Sequence, residues 1–290
     1  NLLHNAIRDE LQRINKEMSV FDSSSEISSI NNDDSGEWID LSPEMSEVLK
    51  DARKTYVESN GNFDPTVGKL VDLWGFGTTR SSKRVPSDEK IKEALKSTGF
   101  DKLRFNGNYT RVKKSIPDVK LNLSALAKGY AVDAAAATLK KHSGITCALI
   151  NAGGNIKAIG NKPGNMPWRV AIQHPRDPEA FLGTVMLHDG QSAATSGDYQ
   201  RYYELNGIRY HHILDPQTGQ PSRLHQSVTV IAPSALDADY HSTLFFLLPT
   251  TEIKNRLTAA KDLAVVIVEN DGSIFVSENL QQTWQPAKGI

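Results

Sequence analysis

The sequence predicts a mixed α/β protein, because helical and strand patterns follow one another along the chain. Apolar residues recur every three or four positions in residues 3–18 and 45–56, which is typical of helices with one buried face. Residues 168–172 alternate as a strand does, and Asp271-Gly272 between two apolar runs predicts a hairpin. Both kinds of element are therefore expected, and no internal repeat or interdomain linker is apparent.

The composition is that of a globular protein with balanced charge. The 290 residues are 39% hydrophobic, enough to bury a large core in one domain or in two intimate subdomains. Lys and Arg number 33 and Asp and Glu number 34, so a surface for nucleic acid or anionic membrane is not indicated. The single cysteine, Cys147, lies in an apolar run and is expected in the core. No apolar run is long enough to cross a bilayer, and no signal peptide is recognised.

The first elements are helical. An amphipathic N-terminal helix is interrupted by the polar residues 21–36, which by themselves predict a solvated loop with Phe21 packed back on the core. A second helix is expected to begin at Ser42-Pro43, where Ser is the N-cap and Pro occupies the first turn. It should end near Asn60-Gly61, in a left-handed C-cap.

Three shorter elements follow before residue 120. Residues 78–86 are polar, basic and rich in serine, which predicts a loop. Residues 87–95 form a short helix that Gly99 stops, and a hairpin is expected around Asn106-Gly107.

Residues 121–160 combine a strand end, a small-residue helix, a buried strand and a glycine pair. Ser124 is predicted to be the N-cap of the helix. The N–H groups and dipole at the helix start, together with Lys128, favour an anionic ligand such as a phosphate. Because Gly153 and Gly154 have no side chains, a ligand can approach the backbone there.

The second half adds strands over residues 185–187 and 228–232, and a turn with two hydroxyls. Thr195-Ser196-Gly197 can hydrogen-bond a polar ring edge or a phosphate, although Ser/Thr-rich turns are common in any protein.

Two adjacent histidines precede an Asp-Pro turn. Strand alternation would place His212 with Leu214 on one face, and His211 with Ile213 on the other. A metal site built from both histidines is therefore geometrically poor. One of them can instead serve as an acid or base, or can simply hydrogen-bond near the turn.

A helix capped by Ser234 carries a second candidate pair. Asp239 and Thr243 are four residues apart and so share one face of this helix. A carboxylate and a hydroxyl suit a hard cation such as Mg²⁺, although such a pair is more often a plain helix surface.

Four strings of sequence resemble one known family. LNLSALAKGYAVD (121–133) followed by INAGGNI (150–156) is similar to the central signature of the ApbE or Ftp family of FAD:protein FMN transferases. Residues 61–77, 194–221 and 227–246 resemble further family segments in the same order, and the resemblance extends from about residue 19 to 248.

The resemblance implies a fold, an activity and a location. We expect a T-fold-like core with antiparallel sheets covered by helices, as one domain over 1–290 or as two intimate subdomains with the FAD site between them. The implied activity is Mg²⁺-dependent transfer of FMN from FAD to a threonine of respiratory flavoprotein subunits, with release of AMP. The implied location is the periplasm, with a lipid anchor to the bacterial inner membrane through a segment outside this sequence.

The resemblance also assigns site residues. His212 matches the family histidine three residues before the Asp-Pro turn and is the predicted catalytic residue. The predicted metal ligands are Asp239, Thr243 and the backbone carbonyl of Ala125. The predicted FAD contacts are Phe21, Ser25, Glu26, Asn62, Phe63, Asp64, Lys128, Asp133, Gly153, Gly154, Thr195, Ser196 and Gly197.

The chain departs from the family pattern at three places. Phe21 stands where tyrosine is commoner, Asn155 where many members have glutamate, and Tyr240-His241 where the pair is usually smaller or more apolar. A change in how Phe21 covers the flavin would alter the balance between transfer to protein and simple hydrolysis. Two alternatives therefore stay open, an FAD pyrophosphatase that gives FMN and AMP and a flavin-delivery protein without turnover.

Overall fold

A computed structural model of the protein describes residues 2–78, 84–142 and 144–287. The chain divides into two compact units. The first unit comprises Asn1–Glu10, Lys128–Gln200 and Arg223–Ile290, and the second comprises Leu11–Ala127 and Arg201–Ser222. All strands named below pair antiparallel, which confirms the mixed α/β class with antiparallel sheets.

The elements are numbered in chain order. The α-helices are α1 (Leu2–Met18), α2 (Glu26–Asn32), α3 (Pro43–Glu58), α4 (Gly68–Leu73), α5 (Asp88–Leu95), α6 (Ala127–Lys140), α7 (Ala235–Phe246) and α8 (Thr250–Ala259). The strands are β1 (Ile39–Asp40), β2 (Leu103–Phe105), β3 (Arg111–Lys114), β4 (Ala148–Ala152), β5 (Asn155–Ile159), β6 (Trp168–Gln173), β7 (Phe181–Leu187), β8 (Ser192–Gly197), β9 (Tyr202–Leu205), β10 (Ile208–His211), β11 (His225–Ala232), β12 (Ala264–Glu269), β13 (Ile274–Val276) and β14 (Gln285–Pro286). No described helix is both long and apolar enough to pass through a lipid bilayer.

The first unit is built on two sheets. A six-stranded sheet has the order β13-β12-β11-β8-β5-β4, and a three-stranded sheet has the order β14-β7-β6. Their apolar faces share one core, to which Val185, Leu187, Val266 and Val268 contribute. Helix α7 packs on β8 and β11, and its Ser242 and Thr243 lie within hydrogen-bond distance of Ser196 near the end of β8.

The second unit contains a three-stranded sheet, β1-β3-β2, and the β9–β10 hairpin. Its core joins the helix α4 segment to this hairpin, with Trp74 stacked on Tyr210 and Phe76 stacked on Tyr203. The Trp74 indole N–H also donates to the Gly219 carbonyl at 2.8 Å.

Local capping follows the sequence predictions. The hydroxyls of Ser42 and Ser234 accept from backbone N–H groups at the starts of α3 and α7, as N-caps do. Asn60 and Gly61 have positive φ values of 52° and 77° after α3, which confirms the left-handed C-cap. The predicted loop over 78–86 falls mostly outside the described residues, which lack 79–83.

The predicted N-cap of the central helix is wrong. Helix α6 begins at Ala127, three residues after Ser124, whose hydroxyl donates to the Asn122 side chain. The N–H groups of Leu126 and Ala127 both donate to the Leu123 carbonyl, so a tight turn precedes the helix.

Three other predictions also need correction. Strand β4 is not buried, because it is the edge of its sheet and alternates between exposed and half-buried residues; Cys147 beside it is only half-buried. Residues 21–36 include helix α2, with Ile27 and Ile30 fully buried, rather than a solvated loop. Strand β10 ends at His211, so the predicted alternation stops there, and Ile213 and Leu214 are both buried.

Candidate functional site

In the first unit the start of α6 meets α7 around one carboxylate. Asp239 is 3% exposed, and its Oδ1 atom lies 3.0 Å from the ammonium nitrogen of Lys128. Its Oδ2 atom accepts from the Gly129 N–H at 2.9 Å. A Cβ atom at position 129 would lie 2.3 Å from the Ala235 carbonyl oxygen, so this close approach of the helices requires glycine. The structure thus joins Lys128 and Asp239, which come from two separate sequence strings.

The hydroxyls near α7 form a second polar group. Ser196 lies at the end of β8, and its Oγ is 2.8 Å from Ser242 Oγ and 3.1 Å from Thr243 Oγ1. Ser242 also donates to the Asp239 carbonyl at 2.8 Å. Thr195 instead pairs with Thr229 on β11, with 2.8 Å between their hydroxyl oxygens. Sequence reasoning missed Ser242, because a serine within a helix shows no distinguishing pattern.

The donors at Asp239 and Thr243 fit Mg²⁺ in their chemistry. Both are hard oxygen ligands, which Mg²⁺ prefers together with waters or phosphate oxygens. Among the described residues no group of three or more His, Cys, Asp or Glu could hold a metal, and the predicted set contains one carboxylate. Lys128 is the observed charge partner of that carboxylate, and its side chain is 48% exposed, so it has room to move away. The third predicted ligand, the Ala125 carbonyl, belongs to the second unit.

The His241 ring, in the first unit, is held by its own helix. Its Nδ1 atom lies 2.9 Å from the Asp237 carbonyl oxygen, which can only accept, so Nδ1 donates. Burial lowers the pKa of His241, and the Asp237 carbonyl partly opposes that shift. The ring is therefore a packed part of α7.

Asp133 has two structural partners in the first unit. Its carboxylate accepts from the N–H groups of Ala235 and Leu236 at 3.1 and 2.9 Å, in the first turn of α7. It also pairs with the buried Lys157 ammonium at 2.9 Å. A negative charge at a helix N-terminus is stabilising, so Asp133 fixes the helix that carries Asp239. Its direct contact with FAD stays a prediction.

The glycine pair forms the turn between β4 and β5. Gly153 and Gly154 have φ values of 61° and 92°, and both are exposed. A Cβ at either position would meet nothing within 4 Å, so the backbone conformation, rather than crowding, requires glycine. The next residue, Asn155, is 2% exposed, and its Nδ2 atom has no hydrogen-bond partner within the described residues.

In the second unit, Phe21 lies at a cavity of about 200 Å³. The Phe21 side chain is 61% exposed, and the cavity is otherwise lined mainly by polar residues. Asp72 and Gly77 lie on its wall, where a Cβ at Gly77 would come within 1.8 Å of Asp72 Oδ1. Both residues are in the recognised string 61–77, but nothing in their spacing pointed to a cavity. Other lining residues are Asn31, Lys120 and Asn122.

Ser25 and Glu26 build the turn that carries Phe21. Ser25 is 1% exposed and caps α2, accepting from the Ser28 N–H at 3.1 Å. Glu26 Oε1 accepts from the Ser42 N–H at 2.9 Å, at the start of α3. These contacts hold the turn in place, and direct contacts of either side chain with FAD stay predictions.

The predicted residues 62–64 lie deeper in the second unit. Phe63 and Asp64 are 3% and 6% exposed, and Asp64 accepts from Thr66 through its backbone N–H and its hydroxyl. Burial raises the pKa of Asp64 despite these hydrogen bonds. Asn62 is more accessible, and its Oδ1 atom accepts from Gln217 Nε2 at 3.2 Å.

The two adjacent histidines, also in the second unit, carry different tautomers. His211 is 2% exposed, donates through Nε2 to the Ser222 carbonyl at 2.7 Å and accepts at Nδ1 from the Ile213 N–H. His212 Nδ1 lies 3.3 Å from the Arg201 carbonyl oxygen. Because a carbonyl can only accept, Nδ1 of His212 carries the proton and the ring lone pair is on Nε2.

Residues 2–267 match the family model described as "ApbE family". The chain belongs to the ApbE family. Among ApbE relatives, the Escherichia coli K12 protein named FAD:protein FMN transferase is 34% identical over 276 residues, which cover 94% of this chain and 78% of the relative.

Solved ApbE structures share the fold. The ApbE protein of Thermotoga maritima is 36% identical, with a TM-score of 0.89 over 96% of this chain and 89% of that chain. The flavinyl transferase ApbE of Pseudomonas stutzeri is 35% identical, with a TM-score of 0.82 over 95% of this chain and 84% of that one. Membership of this family makes the protein an enzyme of the transferase class.

Proposed function

We propose that this enzyme transfers FMN from FAD to a threonine hydroxyl of a protein, with Mg²⁺ as cofactor and AMP as the second product. The observation that carries the proposal is the buried Asp239, held between Lys128 and the Gly129 N–H where α6 starts. A carboxylate and a cation at a helix N-terminus suit the binding of a charged pyrophosphate and its metal ion. The names of the relatives support the same activity.

The reaction exchanges a phosphoanhydride bond for a phosphoester bond. The threonine oxygen attacks the phosphorus on the FMN side of the pyrophosphate, and the bond from that phosphorus to the bridging oxygen breaks. The bridging oxygen leaves with AMP, and His212 accepts the threonine proton at Nε2, where its lone pair lies. Asp239 and Thr243 would hold Mg²⁺, and the ion would neutralise pyrophosphate charge.

The remaining predicted residues bind and orient FAD in this proposal. Lys128 binds phosphate, and the hydroxyls at the end of β8 bind polar edges of the FAD rings. Phe21 covers the flavin from its exposed position at the cavity of the second unit. The other contacts proposed are those that the resemblance assigned.

A pyrophosphatase is the second candidate. The Phe21 side chain is largely exposed, so a flavin that it covers would lie close to bulk water. Water would then replace threonine as the nucleophile, and free FMN would form instead of a flavinylated protein.

The test is incubation of the enzyme with FAD and Mg²⁺, with and without a protein that carries an acceptor threonine. AMP is followed by chromatography and covalent flavin by in-gel fluorescence. AMP together with a fluorescent target supports transfer, whereas AMP and free FMN regardless of target support the pyrophosphatase. FAD that binds without either product would overturn both and indicate a flavin-delivery protein.

Two variants sharpen this test. Asp239→Asn should lose both products, because the neutral amide removes the charge that holds the metal. Asp237→Asn is the matched control on the same helix, and its amide can still accept from the Ser234 hydroxyl, so both products should persist.

The partners and the location are proposed on the family resemblance alone. We expect flavoprotein subunits of respiratory redox complexes as acceptors, and activity in the periplasm with a lipid anchor to the inner membrane. Fractionation of the producing cells, followed by in-gel flavin fluorescence of each fraction, tests both expectations.

A further inference from the structure

Arg201 lies at the centre of an aromatic group in the second unit. Its guanidinium carbon is 5.5 Å from the centroid of the Phe21 ring, which is the distance of a cation–π contact. Its Nη2 atom donates to the carbonyl oxygen of Phe76. One side chain therefore connects the turn after α1 with the segment after α4.

The main chain of the same residue holds His212. The Arg201 carbonyl accepts from the His212 N–H at 3.2 Å, and it also lies 3.3 Å from His212 Nδ1. The His212 ring meets the Phe76 ring edge-on, with 6.4 Å between centroids and 65° between planes. Arg201 thus touches the residue proposed to cover the flavin and the residue proposed to accept the proton.

We propose that Arg201 is a positioning residue whose guanidinium fixes Phe21 over the flavin. This inference rests on the proposed function. Phe21 is 61% exposed, so packing in the protein interior does not set the position of its ring. The planar guanidinium supplies a flat charged surface on which the ring rests, and its bond to the Phe76 carbonyl keeps that surface in place.

The side chain and the main chain of Arg201 have separable roles. A substitution removes the guanidinium but leaves the carbonyl that receives His212. We therefore expect such a variant to lose FAD affinity more than turnover, so that KM for FAD rises while kcat falls less. Loss of one cation–π contact and one hydrogen bond predicts an increase in Kd of about 3- to 10-fold.

The test measures FAD binding by flavin fluorescence in EDTA, with AMP followed to show that no FAD is consumed. The variants are Arg201→Met, Phe21→Leu and the double variant, together with Arg201→Lys. Arg209→Met is the matched control, because Arg209 lies on the same hairpin and its guanidinium is 4.1 Å from the centroid of another ring, that of Tyr202.

If Arg201 acts through Phe21, each single variant weakens binding and the double variant is no weaker than the worse single one. Arg201→Lys should recover part of the affinity, because lysine keeps the positive charge but lacks the planar guanidinium. Arg209→Met should bind FAD as tightly as the unaltered protein does. Additive losses in the double variant, or unchanged binding in Arg201→Met, would overturn the inference.

Two further outcomes are distinguishable. If Arg201→Met does not fold, the double-mutant cycle uses Arg201→Lys, Phe21→Leu and their combination. The FAD affinities of these three variants are then compared in the same way. If the unaltered enzyme does not bind FAD, the proposed function fails and this inference fails with it. If the unaltered enzyme binds FAD and Arg201→Met binds it equally well, the inference about Arg201 fails and the proposed function stands.

Discussion

The ammonium nitrogen of Lys128 lies 3.0 Å from Asp239 Oδ1, although the two residues are 111 positions apart in the sequence. The same carboxylate is the strongest candidate for a metal ligand in the first unit. A metal ion bound at this carboxylate would therefore compete with Lys128 for one negative charge.

Lys128→Met should make the enzyme more responsive to Mg²⁺. Without the ammonium group, Asp239 is buried beside one N–H donor, and we expect the free energy of unfolding to fall. Added MgCl₂ should then raise Tm more in the variant than in the unaltered protein. The ion can bind beside Asp239 in the place that the ammonium group has left. Thermal unfolding across a MgCl₂ series measures this, with CaCl₂ as a comparison and Lys140→Met, at the far end of α6, as the control variant. Equal Tm gains in all three proteins would count against Asp239 as a metal ligand.

Gly129→Ala should destabilise the first unit, although alanine favours helices. Alanine gains up to about 1 kcal/mol over glycine inside a helix. The new Cβ would lie 2.3 Å from the Ala235 carbonyl oxygen, and such overpacking costs about 1–3 kcal/mol or more. We expect the clash to dominate and Tm to fall, together with any activity that depends on the Lys128–Asp239 pair.

Gly153→Ala is the contrasting variant. The new Cβ at position 153 would meet no atom within 4 Å. Only the backbone φ of 61° disfavours a side chain there, at a cost of about 1–2 kcal/mol. A Gly129→Ala protein as stable as the unaltered one would show that α6 and α7 can move apart.

Asn155→Leu should stabilise the free protein. Leucine has the same branched shape, and it removes an Nδ2 group that is buried without a hydrogen-bond partner in the described chain. Removing such a group recovers about 1 kcal/mol, which urea unfolding can measure. Asn151→Leu is the control on the same hairpin and should destabilise, because Asn151 accepts from the Gly154 N–H. Lower stability of Asn155→Leu would mean that the amide has a partner in solution, such as an ordered water.

Asp64 should make stability fall with rising pH. Burial raises its folded-state pKa above the ordinary 3.8, so between these values the folded protein binds more protons than the unfolded chain. The free energy of unfolding therefore decreases as pH rises from 3.8 through the raised value.

The variant Asp64→Asn should flatten that slope. Urea unfolding between about pH 4 and 6 compares it with Asp34→Asn, an exposed carboxylate of the same unit, which should keep the slope. Identical slopes in all three proteins would exclude Asp64 as the source of the pH dependence.

Elements set by local chemistry could be predicted from the sequence. The structure confirms the caps at Ser42 and Ser234 and the turn at Asn60-Gly61. Each of these features depends on residues within one helical turn. The prediction at Ser124 was wrong because helix α6 begins three residues later, at Ala127, after a tight turn closed on the Leu123 carbonyl.

Helix α2 was missed because its apolar signal is sparse. Only Ile27 and Ile30 mark the buried face among serines and asparagines, and composition alone then indicates a loop. The buried polar contacts were out of reach for a different reason. The pairing of Asp133 with Lys157 and with the start of α7 joins residues from distant strings, so it depends on tertiary packing that no periodicity encodes.

The division of the chain constrains the order in which the protein can be completed during synthesis. Trp74 reaches its hydrogen-bond acceptor at Gly219 across 145 positions, and the β9–β10 hairpin supplies the rings that stack on Trp74 and Phe76. A nascent chain that ends at residue 127 therefore lacks part of the second unit's core and leaves the faces of these two side chains bare. A ribosome must add nearly a hundred more residues before that gap closes, so the emerging chain is expected to need protection from aggregation throughout this interval.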